Sequence, residues 1–128
     1  MTDLIQSLSY SASGMEAQAG ARLGVIARNV AQADTPGYKA MDLPDFATSY
    51  QAASPGGMRA TRPGHLAVAS KMLEPVLEPS AGEAAPDGNT VSLAREMVKS
   101  VDARQQHDMA LSVYRATSEI VRTSLGRR

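Results

Sequence analysis

Leu4, Leu8, Ala12, Met15, Ala19, Leu23, Ile26, Val30 and Ala33 follow one another at steps of four, four, three, four, four, three, four and three. That spacing predicts one apolar stripe along a single long helix over roughly 3–33. The first six steps form two eleven-residue units, which favour a nearly straight or slightly right-handed seam over a strict heptad supercoil. Gly14, Gly20 and Gly24 interrupt the pattern, each costing about 1 kcal/mol relative to Ala in a helix interior. A thin helix of this kind is weak alone but lets a neighbouring helix come close. The pattern by itself leaves two completions open, a small bundle or packing against neighbouring chains.

A second pattern follows the turn cluster PDGNT. Leu93, Met97, Val101, Gln105, Met109, Ser112 or Val113, Ala116 and Ile120 read as one helical stripe, widened toward the C-terminus by Leu111, Tyr114, Val121 and Leu125. Thr90 or Ser92 is placed to cap this helix, with Glu96 in or near its first turn. Arg122, Arg127 and Arg128 complement the negative end of its dipole, and Gly126 is a plausible stop. Two helices of about thirty residues each span about 45 Å. Within the chain each has one partner, so apolar surface on the outer faces has to find other subunits. Burial is expected for Leu4, Leu8, Met15, Ile26, Met97, Val101, Met109 and Ile120, within or between chains.

Proline divides the chain. All seven prolines lie between 36 and 86, which permits long helices in both flanks and argues against any in the middle. The expected architecture is all-α and one domain. An N-terminal helix over 1–35 and a C-terminal helix over 90–128 pair as an antiparallel coiled-coil hairpin, around a Pro/Gly-rich irregular middle over 36–89. Charge follows the same division: three acidic and three basic residues in 1–40, six against three in 41–89, four against seven in 90–128. The first helix stops at a purpose-made turn, Asp34-Thr35-Pro36-Gly37-Tyr38, where Pro36 lacks an N–H and Gly37 takes a positive φ freely.

Composition narrows the chemistry. The 128 residues carry zero formal net charge, which does not support a general attraction to nucleic acid or anionic membrane. Aromatics are only 4% with no Trp, so Ala, Val, Leu and Met must build the core. The absence of Cys excludes disulfides, thiol nucleophiles and Cys-based zinc sites. The N-terminus lacks a basic region followed by an apolar run, so no cleaved secretory signal is expected. No stretch is apolar enough to span a bilayer. His65 and His107 lie in different segments without a carboxylate at metal-ligand spacing. Ser9, Ser11 and Ser13 form no nucleophile elbow, and TPGYK is no phosphate loop. No catalytic residue, cofactor, metal or small-molecule ligand is expected.

ARNVAQADTPGYKAMD closely resembles the motif shared by axial proteins of the bacterial flagellum, in which an Asn-containing helix runs into a Thr-Pro-Gly-Tyr-Lys turn. Asn29, Val30, Ala31, Ala33, Asp34, Thr35, Pro36, Gly37, Tyr38 and Lys39 carry it. The family more often has Ser before this Asn, and Asn at the positions of Gln32 and Asp34. The flanks meet around only some fifty residues, too few for the large β-rich domains of hook or distal-rod proteins. MRATRPGHLAV and DGNTVSLAREMVKSVDARQQHDMALSVY resemble the FlgB-type proximal rod family, with Ser92 where an acidic residue is usual. FlgC-type rod proteins are the nearest competitor, because SASGMEAQ resembles their N-terminal helix.

The resemblance implies a structural, non-enzymatic subunit of the basal-body rod in the periplasm. Its terminal helices would polymerise into the hollow tube that joins the membrane ring to the hook and transmits torque. Implied partners are further copies, FlgC-type rod proteins, a FliE-type adaptor, the membrane-ring protein and the flagellar export apparatus, which passes the chain without a cleaved signal. Candidate subunit contacts are Leu4, Leu8, Met15, Ile26, Asn29, Thr35, Pro36, Gly37, Tyr38, Lys39, Met97, Val101, Met109 and Ile120. For Tyr38 and Lys39 a neighbouring subunit is the expected surface, their own chain the alternative. A cytoplasmic helical adaptor or chaperone and a membrane-surface amphipathic protein are the competing classes.

Overall fold

A computed structural model describes residues 2–53 and 76–126. Helix α1 (Thr2–Ala31) and helix α3 (Leu93–Ser124) pack side by side as the expected hairpin. They run antiparallel: Asn29 near the end of α1 meets Glu96 in the first turn of α3, and Glu16 midway along α1 lies beside His107. Between them come strand β1 (Met41–Asp42), helix α2 (Phe46–Ala53) and strand β2 (Glu78–Pro79). The two short strands pair antiparallel, Met41 opposite Pro79 and Asp42 opposite Glu78.

The middle is less irregular than the prolines suggest. Residues 45–54 hold none, and α2 occupies that interval, with Phe46 and Tyr50 rings tilted together at 5.5 Å. Gln18 of α1 reaches it, donating from its side-chain amide to the Pro44 carbonyl and to the Ser49 hydroxyl. His65 and the MRATRPGHLAV stretch lie outside the described residues.

The seam between the long helices differs from the apolar pattern. On α3 the buried positions are Glu96, Ala103, Ala110 and Thr117, spaced by seven. On α1 Ala12, Ala19 and Ile26 repeat the same step. The spacing is therefore seven rather than eleven. Seven residues fall about 20° short of two turns, a drift that supercoiling absorbs. The step of four that links Leu93, Met97, Val101, Gln105 and Met109 overshoots one turn by about 40°. That line accordingly winds from the flank of the seam to the back of the helix. Small residues on the seam allow close approach but bury little: a methyl group is worth about 0.8 kcal/mol, a leucine side chain about twice that or more.

Helix α1 stops at Ala31, before Pro36 is reached. Tight turns follow, with the amides of Ala33 and Thr35 donating three residues back to the carbonyls of Val30 and Gln32. At the start of α3, Ser92 holds the N-cap position with extended backbone but makes no side-chain capping bond. The Thr90 hydroxyl is engaged elsewhere, accepting from the Ala40 amide.

Candidate functional site

Two surfaces of the hairpin carry the unusual chemistry, and both follow from where polar and apolar side chains end up. The first is the closed end, where the TPGYK turn meets the segment leading into α3. Gly37, at φ 73°, donates its amide to the Asp87 carbonyl, and Gly88, at φ 80°, packs its backbone against Gly37. Both conformations favour glycine. Thr90 donates its amide to the Tyr38 carbonyl, and Ser80 donates to that of Ala40. Asn89 is buried and its amide nitrogen lies 3.0, 2.7 and 3.0 Å from the carbonyls of Gln32, Ala33 and Thr35. These carbonyls belong to the turn that follows α1, and the Gln32 carbonyl also accepts the Thr35 amide. The Asn89 side-chain oxygen accepts the Val91 amide, so one side chain holds that turn and shapes the approach to α3.

Deeper in, Asn29 is fully buried. It donates to the Met41 carbonyl at 2.7 Å and to Glu96 Oε2 at 3.0 Å, while its own oxygen accepts from the Met41 amide and the Tyr38 hydroxyl. Glu96, also buried, has its other oxygen 3.2 Å from Lys99 Nζ, which reaches Asp42 at 2.7 Å. Asp42 in turn pairs with Arg22 at 3.2 Å, and Arg22 extends to Asp45. Burial alone would raise the Asp42 carboxyl. The Lys99 hydrogen bond, the Leu43 amide and Arg22 together outweigh it and hold the group below its ordinary range. A chain of alternating charges thus joins α1, β1 and α3, and among the described residues no buried side-chain nitrogen or oxygen lacks a partner.

This geometry turns several expected subunit contacts inward. Asn29 and Ile26 are spent inside the chain, Asn29 because its amide is needed by Met41 and Glu96. The Tyr38 hydroxyl goes to Asn29 and Lys39 Nζ to the Gly88 carbonyl, so this turn is read by its own chain. Met15 is half-buried beside the seam, whereas Thr35, Pro36 and Gly37 stay exposed. Asn89, Asp42, Lys99 and Arg22 are residues that sequence reasoning did not single out, and Glu96 was read only as a helix-dipole partner. Their one visible sign was Glu96 heading a seven-residue series of small side chains.

The second surface is the outward face. Leu4 is 72% exposed, Met97 66%, Val101 63% and Ile120 55%, with Leu8 and Met109 also open. Val98 and Leu93 are also exposed on α3, as are Tyr10, Tyr114, Val121 and Leu125 toward the end that carries both termini. Single exposed apolar side chains are ordinary on a protein surface; this many on two helices is a larger share than usual. Among the described residues no helix is long and apolar enough to cross a membrane, and no group of three metal-binding side chains stands together. His107 faces Glu16 across the seam at 3.9 Å and Asp108 at 3.8 Å, a loose arrangement.

Similarity to characterised proteins is consistent with a surface built for assembly. No family model matches the chain. It is 37% identical over 101 residues to the flagellar basal body rod protein FlgB of Escherichia coli K12, covering 71% of this chain and 72% of that one. The Shigella flexneri FlgB protein matches to the same extent. FlgB of Agrobacterium fabrum C58 is 34% identical over 100 residues, covering 74% and 75%. At this identity over this share of both chains, the hairpin with its locked turn and open apolar face belongs to the FlgB family of flagellar basal body rod proteins, as a structural rod subunit.

Proposed function

We propose that this chain polymerises through the outward faces of α1 and α3 into the wall of the hollow rod, in the periplasmic part of the basal body. There it would contact further copies of itself and other rod, adaptor and membrane-ring components, and carry torque from ring to hook. Export would proceed through the flagellar apparatus. One observation supports this reading above the others: Met97, Val101, Met109 and Ile120 of α3 stay exposed in the hairpin, while Ala103 and Ala110 take its seam with α1. Burying a side chain of this size from water is worth about 1.5–3 kcal/mol. A lattice in which several such residues per subunit find neighbours loads many thin seams in parallel.

Thr35, Pro36 and Gly37, exposed at the locked turn, are the positions of the TPGYK motif best placed to meet a neighbour. Tyr38 and Lys39 would act indirectly, by holding that turn in shape. The test is complementation of a strain lacking its own FlgB with a Met97→Glu/Val101→Glu chain. Motility should be lost while the purified chain keeps its Asn29–Glu96 end folded. Full motility with both carboxylates in place would refute the outward face as the assembly surface.

A further inference from the structure

The seam is nearly self-similar under a shift of seven. Ala12 and Ala19 on one helix face a series with Ala103 and Ala110 on the other, so sliding α1 by two turns exchanges alanine for alanine there, with Ile26 the one larger member of its series. Apolar repeats of this kind specify pairing poorly, and a single buried polar position is a known way to choose one register. Asn29 and Glu96 break the repeat. A slip of seven that sets Asn29 against Ala103 takes away the bond between Asn29 and Glu96: one Asn29 N–H and the Glu96 Oε2 lose their partner, while Met41 and Lys99 still hold the rest of each group. A buried donor or acceptor left unmade costs more than a made bond contributes.

We propose that the buried Asn29–Glu96 hydrogen bond is a register pin, selecting one sliding position of α1 against α3 from several that the alanine seam would otherwise accept. The segment from Asp87 to Val91, which grips the TPGYK turn, then closes over a register already chosen. In this role the pair contributes uniqueness rather than net stability, because apolar replacement of both members of a buried polar pair is often neutral or stabilising.

The chain has no cysteine, so Ala27→Cys and Gln105→Cys, both on exposed positions, give two clean attachment points for nitroxide labels. Pulsed electron-electron resonance on the full chain, diluted with unlabelled protein, reads the distance between helices. A single narrow distribution is expected with Asn29 and Glu96 present. In Asn29→Leu/Glu96→Leu it should divide into populations offset along the helix by about 10 Å, the rise of seven residues, with helicity retained. Glu96→Gln, which keeps an acceptor for the Asn29 amide, should preserve the single distribution. The proposal is overturned by one unshifted distribution in the double-leucine chain, which would assign register to the 87–91 segment. It fails equally if that chain unfolds, if the Gln variant slips, or if the distribution is already broad with both residues intact.

Discussion

The two ends of the hairpin are built on opposite principles. At the closed end, side chains cross between elements: Asn29 to Glu96, Lys99 to Asp42, Asn89 to carbonyls of the turn after α1. At the end that carries both termini, Ser7, Ser9, Ser11 and Ser13 all donate back to carbonyls of their own helix. Leu4, Leu8, Ile120 and Leu125 there lie open to water. Such back-bonding adds nothing between helices and slightly weakens the helix that carries it. One end is therefore cross-linked by polar side chains within the chain, and the other leaves large apolar side chains open to water. Stability varies along a structure with such differences, and under the proposed function the loosely held end is where ordering on assembly would be greatest.

Substitutions should separate the ends. The largest effect is expected for Asn89→Ala, which removes the side-chain bonds to the Gln32, Ala33 and Thr35 carbonyls and to the Val91 amide at once. A loss of about 3 kcal/mol in urea unfolding is expected. Next comes Gly82→Ala, whose new methyl would sit 2.8 Å from the Thr90 carbonyl oxygen and 3.3 Å from Arg95. Backbone cannot yield cheaply there, and a loss of about 2 kcal/mol follows from overpacking; an unchanged midpoint would show the segment is slack.

Asp42→Asn should cost about 1 kcal/mol at neutral pH and also change the pH dependence. Because the folded carboxyl sits below its ordinary range, the unfolded chain takes up the proton first. The stability it lends is full above the ordinary carboxylate range and is lost as pH falls through the folded value. Acid titration of the unfolding midpoint should be flatter in the Asn variant. The smallest effect is expected for Leu8→Ala, within about 0.5 kcal/mol in the dilute chain, while self-association weakens. A large stability loss there would mean the open end is packed after all.

How far these features were legible in the sequence differs by end. Both long helices and the sharp turn followed from apolar period and proline placement, because those signals are local. The seam did not. The eye follows large apolar residues, and on α3 Met97, Val101 and Met109 mark the outer surface, whereas Ala103, Ala110 and Thr117 mark the inner one. Asn89 and Asp42 were equally hidden, since a polar residue between Gly and Thr, or after Met, reads as loop until the fold brings a helix end or a lysine beside it. Glu96 was read as a helix-dipole partner; its burial against Asn29 depends on a contact 67 residues apart in the chain.

The central claim is that the outer face is an unfilled interface. Far-UV circular dichroism across protein concentration, paired with sedimentation velocity, tests it most directly. Helicity and sedimentation coefficient should rise together, and Val101→Glu should hold both at their dilute values. A fully helical monomer at every concentration, indifferent to that substitution, would contradict the account.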